Sequence, residues 1–132
     1  MNLTSFMKKY ADQIGGQYIE YNATLSVIII PVSGSRFQTV TGNVKQSSLY
    51  NRKVITFTSK VCPMNDTIDL KMLLEQTAFF NYCRFVISEN YLQVEAVSSM
   101  DGALEDDIKE MLQEVANIAD QYEMKLTGAD IH

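Results

Sequence analysis

The sequence predicts an α+β domain in which an antiparallel sheet packs against helices, in the order α-β-β-β(-β)-α-β-β-α. Three observations carry this expectation. Amphipathic segments with helical spacing stand at both ends of the chain and once in its middle. The stretches between them are rich in β-branched and aromatic residues, and Gly, Asn and Ser punctuate the joins. At 132 residues, 46% of them apolar and 20% charged, the chain has the size and composition of one folding unit, 1–132.

Leu3, Phe6, Met7, Tyr10 and Ile14 recur at helical spacing, and Gly15-Gly16 follows where a helix end needs a residue tolerant of positive φ. Residues 18–21, 25–32, 37–44 and 54–61 then read as an antiparallel meander, broken by Asn22, Ser33-Gly34-Ser35 and residues 47–51. In the last of these strands Ile55, Phe57 and Val61 share one face, and Thr56, Thr58 and Lys60 the other. Cys62-Pro63 ends it. Asp66 is the expected cap of a second helix, with Asp69 in its first turn and an end near Ala78. Residues 84–88 and 91–97 follow as strands joined by Glu89-Asn90, a two-residue hairpin turn. Cys83, Phe85 and Ile87 share a face there, matched by Leu92, Val94 and Ala96. Asp101-Gly102 opens a last helix whose single apolar stripe includes Ile108, Leu112, Val115, Ala119 and Tyr122. Its first turn holds Glu105, Asp106 and Asp107, where the helix dipole favours negative charge.

The longest apolar run extends only from Val27 to Val32, far short of the roughly 20 residues that cross a bilayer. The first residues lack the basic-then-apolar order of a secretory leader, so a cytoplasmic location and no membrane contact are expected. A formal charge of −5 opposes the counterion release that drives nucleic-acid binding, which argues against a nucleic-acid partner. Cys62 and Cys83 read as reduced, packed thiols.

The segment at residues 73–122 is the most distinctive. A helix ending Leu73-Leu74 leads to a strand around Tyr82, Cys83, Arg84 and Phe85. A second strand spans residues 91–97, and a long helix closes on Ala119-Asp120 and Tyr122. This pattern resembles the YbjN-like proteins, which are related in fold to the type III secretion chaperones. The resemblance implies a secretion-chaperone-like fold and a protein that binds other proteins, commonly as a homodimer, without chemistry of its own.

Catalytic patterns do not assemble in the sequence. The one histidine is His132, at the end of the chain, where a general base is poorly anchored. No Cys-x-x-Cys, His-x-x-x-His or calcium-loop spacing is present, so no catalytic residue, cofactor or metal is expected. Glu105, Asp106, Asp107, Glu110 and Glu114 are most simply a solvated helix face.

Two features exceed a bland reading. Residues 22–65 contain no acid, yet hold Arg36, Lys45, Arg52, Lys53 and Lys60, whereas residues 101–132 are rich in acids. Such segregation orients a second copy or simply lets the acidic helix lie near the sheet in one molecule, the latter slightly favoured. The second helix is also apolar on two sides: Leu70, Leu73, Leu74, Thr77 and Ala78 form one, and Ile68, Met72 and Phe79 the other. An outer apolar stripe favours a homodimer or an unknown client protein. Tyr82, Arg84 and Val86, with Tyr91, Gln93, Glu95 and Val97 on the return strand, form a mixed surface of the kind that anchors partners. The expected interface is therefore Ile68, Met72, Phe79, Tyr82, Arg84, Val86, Tyr91 and Val97. The expected function is a non-catalytic, chaperone-like or adaptor-like protein-binding module. The alternative is a small-ligand-binding or catalytic domain with a pocket between sheet and helices.

Overall fold

The computed structural model describes residues 2–128. Helix α1 (Leu3–Ile14) is followed by strands β1 (Gln17–Glu20), β2 (Leu25–Pro31), β3 (Phe37–Gln46) and β4 (Lys53–Pro63). Helix α2 (Leu70–Thr77), strands β5 (Arg84–Ser88) and β6 (Tyr91–Ser99) and helix α3 (Glu105–Thr127) complete the chain. The strands form one antiparallel sheet in the order β1-β2-β3-β4-β6-β5, the expected α+β arrangement with the optional fourth strand present. His132 lies outside the described residues.

Local chemistry explains the joins. Asn2 caps α1 by accepting the Ser5 N–H, and Gly15 ends the helix at φ 72°. A Cβ on Gly16 would overlap the Ile29 carbonyl oxygen, so the turn into β1 needs glycine twice, for different reasons. Glu89 and Asn90 have φ of 51° and 61°, the positive values that a two-residue type I′ hairpin turn requires.

The β5–β6 hairpin returns so that β6 pairs with β4 and β5 becomes an edge. A bulge between Lys60 and Cys62 lets both Val61 and Cys62 turn inward, and both are buried.

Alternation assigns the two faces of the sheet. Ile28, Val40, Phe57, Val94 and Ala96 share one face and join α1 and α3 in a single core. α1 lies across β1 and β2, and α3 crosses β3, β4 and β6. Tyr10 of α1 donates its hydroxyl to Gln113 of α3 at 3.2 Å, so the two helices form one layer.

The second helix departs from expectation. Its cap is Asp69, which accepts the Met72 N–H at 3.0 Å, and not Asp66. A start three residues later leaves only two turns, and it changes which stripe faces the core. Ile68 and Leu73, at the positions of a hydrophobic staple around the cap, are both buried, and Met72 packs partly against them. Leu70 and Leu74, expected on the core side, are 44% and 71% exposed.

Candidate functional site

The face of the sheet opposite α1 and α3 carries no helix among the described residues. It presents Leu25, Val27 and Ile29 from β2, Thr39, Thr41 and Lys45 from β3, and Thr56, Thr58 and Lys60 from β4. Tyr91, Gln93, Glu95 and Val97 of β6 and Arg84 and Val86 of β5 continue it.

Register brings specific pairs together. Thr41 stands opposite Thr58, and their hydroxyls are 2.9 Å apart. Thr58 in turn stands opposite Glu95, and Glu95 opposite Arg84. The Arg84 guanidinium donates to the Glu95 carboxylate at 2.7 Å. Lys60 holds its ammonium 5.3 Å above the ring of Tyr91. Two concavities follow one another across this face. One, of about 430 Å³, is lined by Tyr21, Val27, Thr39, Thr41, Lys60 and Gln93. The other, of about 570 Å³, lies toward the β3–β4 turn, between Lys45, Tyr50, Arg52, Arg84, Glu95 and Val97.

A separate apolar groove of about 230 Å³ runs beside the free edge of β5. Leu70, Leu73 and Leu74 of α2 form one wall, and Phe85, Val86 and Ile87 the other. Ile87 is 52% exposed, and Phe79, just beyond α2, is 79% exposed. The space between sheet and helices is filled: Val40, Ile55, Phe57, Leu112 and Val115 are all fully buried there.

The expected interface residues therefore divide. Arg84, Val86, Tyr91 and Val97 lie together on the open face, and Phe79 is exposed beside α2. Ile68 is in the core and Met72 is half-buried against it, a correction that follows from the later helix start. Tyr82 precedes β5 and turns toward the helices instead, where its hydroxyl donates to Glu110 at 2.7 Å.

That contact belongs to a latch that the solvated-face expectation for Glu110 and Glu114 missed. The Glu114 carboxylate accepts the backbone N–H groups of Asn81, Tyr82 and Cys83 at 3.2, 2.8 and 3.0 Å. Partial burial pushes the Glu114 carboxyl up, but those N–H groups and the Cys83 thiol outweigh it and hold it below its ordinary value. The reciprocal effects are upward. The bond to Glu110, then burial and the nearby carboxylates, push the Tyr82 phenol up to about 12, and burial and Glu114 push the Cys83 thiol up strongly.

The charge segregation resolves partly within the chain. Asp120 of α3, almost fully buried, receives two bonds from the Arg36 guanidinium at 3.0 and 2.8 Å. Lys45, Arg52 and Lys60 are not ion-paired within the described residues. No helix of the described residues is long and apolar enough to cross a membrane. No group of three His, Cys, Asp or Glu side chains suited to hold a metal occurs among them.

No protein-family model matches this chain, and no curated protein sequence matches it.

Proposed function

We propose that this protein is a non-catalytic protein-binding module, chaperone-like or adaptor-like, that acts in the cytoplasm as a homodimer. The observation that carries the reading is the one-sided sheet. Helices cover one face, while the other offers an arginine, a tyrosine and several aliphatic side chains with no helix over them among the described residues. Such mixed, aromatic- and arginine-bearing surfaces are where binding energy concentrates.

The dimer contact follows from the groove beside β5. Leu70, Leu74, Phe79 and Ile87 expose apolar surface next to an unpaired strand edge, and burying both against a second copy removes both liabilities. The YbjN-like assignment belongs to the same reading and rests on the pattern of residues 73–122. Light scattering at micromolar concentration tests the dimer. Twice the chain mass is expected, and monomer mass for the unmutated chain overturns it.

A further inference from the structure

The open face has a charge opposite to that of the rest of the molecule. Its cations are Lys45, Lys60 and Arg84, joined at the rim by Arg52, and its one acid among the described residues is Glu95, already engaged by Arg84. The whole chain nevertheless carries a formal charge of −5. Seven of the sixteen acids lie on α3, on the other side of the sheet. The solvent-exposed acids among them are surrounded by counter-ions, and at physiological salt, with a Debye length of about 8 Å, these screen much of their field. A ligand above the open face meets the local charge, which is positive.

The same surface is apolar between its charges. Leu25 and Val27 line the first concavity, and Val54 and Val97 the second. We infer that the open sheet face binds an acidic segment of a partner protein in which apolar side chains are interspersed with carboxylates. The inference rests on the reading of this chain as a protein-binding module and adds the chemistry of the partner.

Charge complementarity selects the occupant. Carboxylates meet Lys45, Arg52 and Lys60, which are not ion-paired within the described residues, while aliphatic side chains cover the valines and the threonine methyl groups. A single-stranded nucleic acid fits less well. Of the rings at this surface, Tyr21, Phe37, Tyr50 and Tyr91, the last two each have a face occupied by a cation of this chain, with Arg52 and Lys60 both 5.3 Å from the ring centres.

Fluorescence anisotropy with three labelled peptides of equal length tests this, alternating Leu with Glu, with Lys or with Ser, beside a single-stranded RNA of similar length. The Leu-Glu peptide is expected to bind most tightly, to weaken with added salt, and to lose about tenfold in affinity in Lys45→Glu/Arg52→Glu. Lys8→Glu/Lys9→Glu, on exposed positions of α1, makes the same change in net charge and is expected to leave binding unchanged. Equal binding of the Leu-Lys or Leu-Ser peptide overturns the acidic partner and leaves the protein-binding module standing. Tighter binding of the RNA, or equal losses in both double variants, also overturns it. Absence of binding by every peptide removes the inference, while the dimer is judged separately by its mass. Circular dichroism and melting of each variant confirm that it is folded.

Discussion

Glu114 accepts the backbone N–H of Tyr82 at 2.8 Å, tying the middle of α3 to the segment that enters β5. With the flanking N–H groups of Asn81 and Cys83, one carboxylate satisfies three consecutive donors that no strand or helix partner reaches. The contact fixes the chain as it enters β5, while the hairpin itself is held by the pairing of β6 with β4.

Glu114→Ala leaves those donors without their acceptor and is expected to cost about 1–3 kcal/mol of stability. Chemical denaturation at neutral pH measures it. An unchanged midpoint would show that water replaces the carboxylate at no cost.

The same group has a pH signature. Its carboxyl is held below the ordinary value when folded, so the unfolded chain binds the proton more readily. The stabilisation is complete above the unfolded carboxylate range, near pH 4.3, and is lost as pH falls through the lowered folded value. In Glu114→Gln this part of the acid loss is absent, so the stability difference between the two proteins should shrink from pH 7 toward pH 3. A constant difference across that range would contradict the assignment.

Asp120 offers a second test of α3. It is 1% exposed, and Arg36 is its two-pronged partner from the β2–β3 connection. Arg36→Ala strands a buried carboxylate and should destabilise the fold by on the order of 2 kcal/mol, less than for a fully buried pair because the arginine is partly solvated. Arg36→Ala/Asp120→Asn should recover part of that loss in the same denaturation assay.

Much of this architecture was legible in the residues. Strands with β-branched alternation, Gly15 after α1 and Glu89-Asn90 between β5 and β6 each carry a local signal that tertiary packing reinforces. The open-face residues Arg84, Val86, Tyr91 and Val97 were legible for the same reason, since a strand's period of two assigns sides once one side is known. The failures share a cause. Asp66 and Asp69 are both competent caps, and no periodicity over two turns decides between them. Tyr82 lies just before β5, where alternation no longer governs, and the acids of α3 look like a solvated face until the loop they hold is placed. For Asp69, an available signal was Ile68 beside it with Leu73 four positions beyond the cap, the staple spacing.

That same reversal yields the sharpest test of the dimer surface. Met72 is half-buried against Ile68 and Leu73, whereas Leu74, two residues on, is 71% exposed at the wall of the apolar groove. A glutamate at either position adds the same charge to the same helix, so differences between the variants report the environment. Met72→Glu places a carboxylate against the core and should destabilise folding by about 2–3 kcal/mol. Leu74→Glu places it in solvent in the monomer, with little effect on folding, but opposes its own copy across a twofold contact. Dimer affinity should then fall by ten- to a hundredfold, about 1.4–2.8 kcal/mol. Sedimentation at several concentrations, paired with melting of each variant, separates the two effects. A Leu74→Glu protein that keeps its dimer would move the subunit contact away from the α2–β5 groove. A Met72→Glu protein that melts normally but dissociates would restore the stripe of Met72 as the outer one.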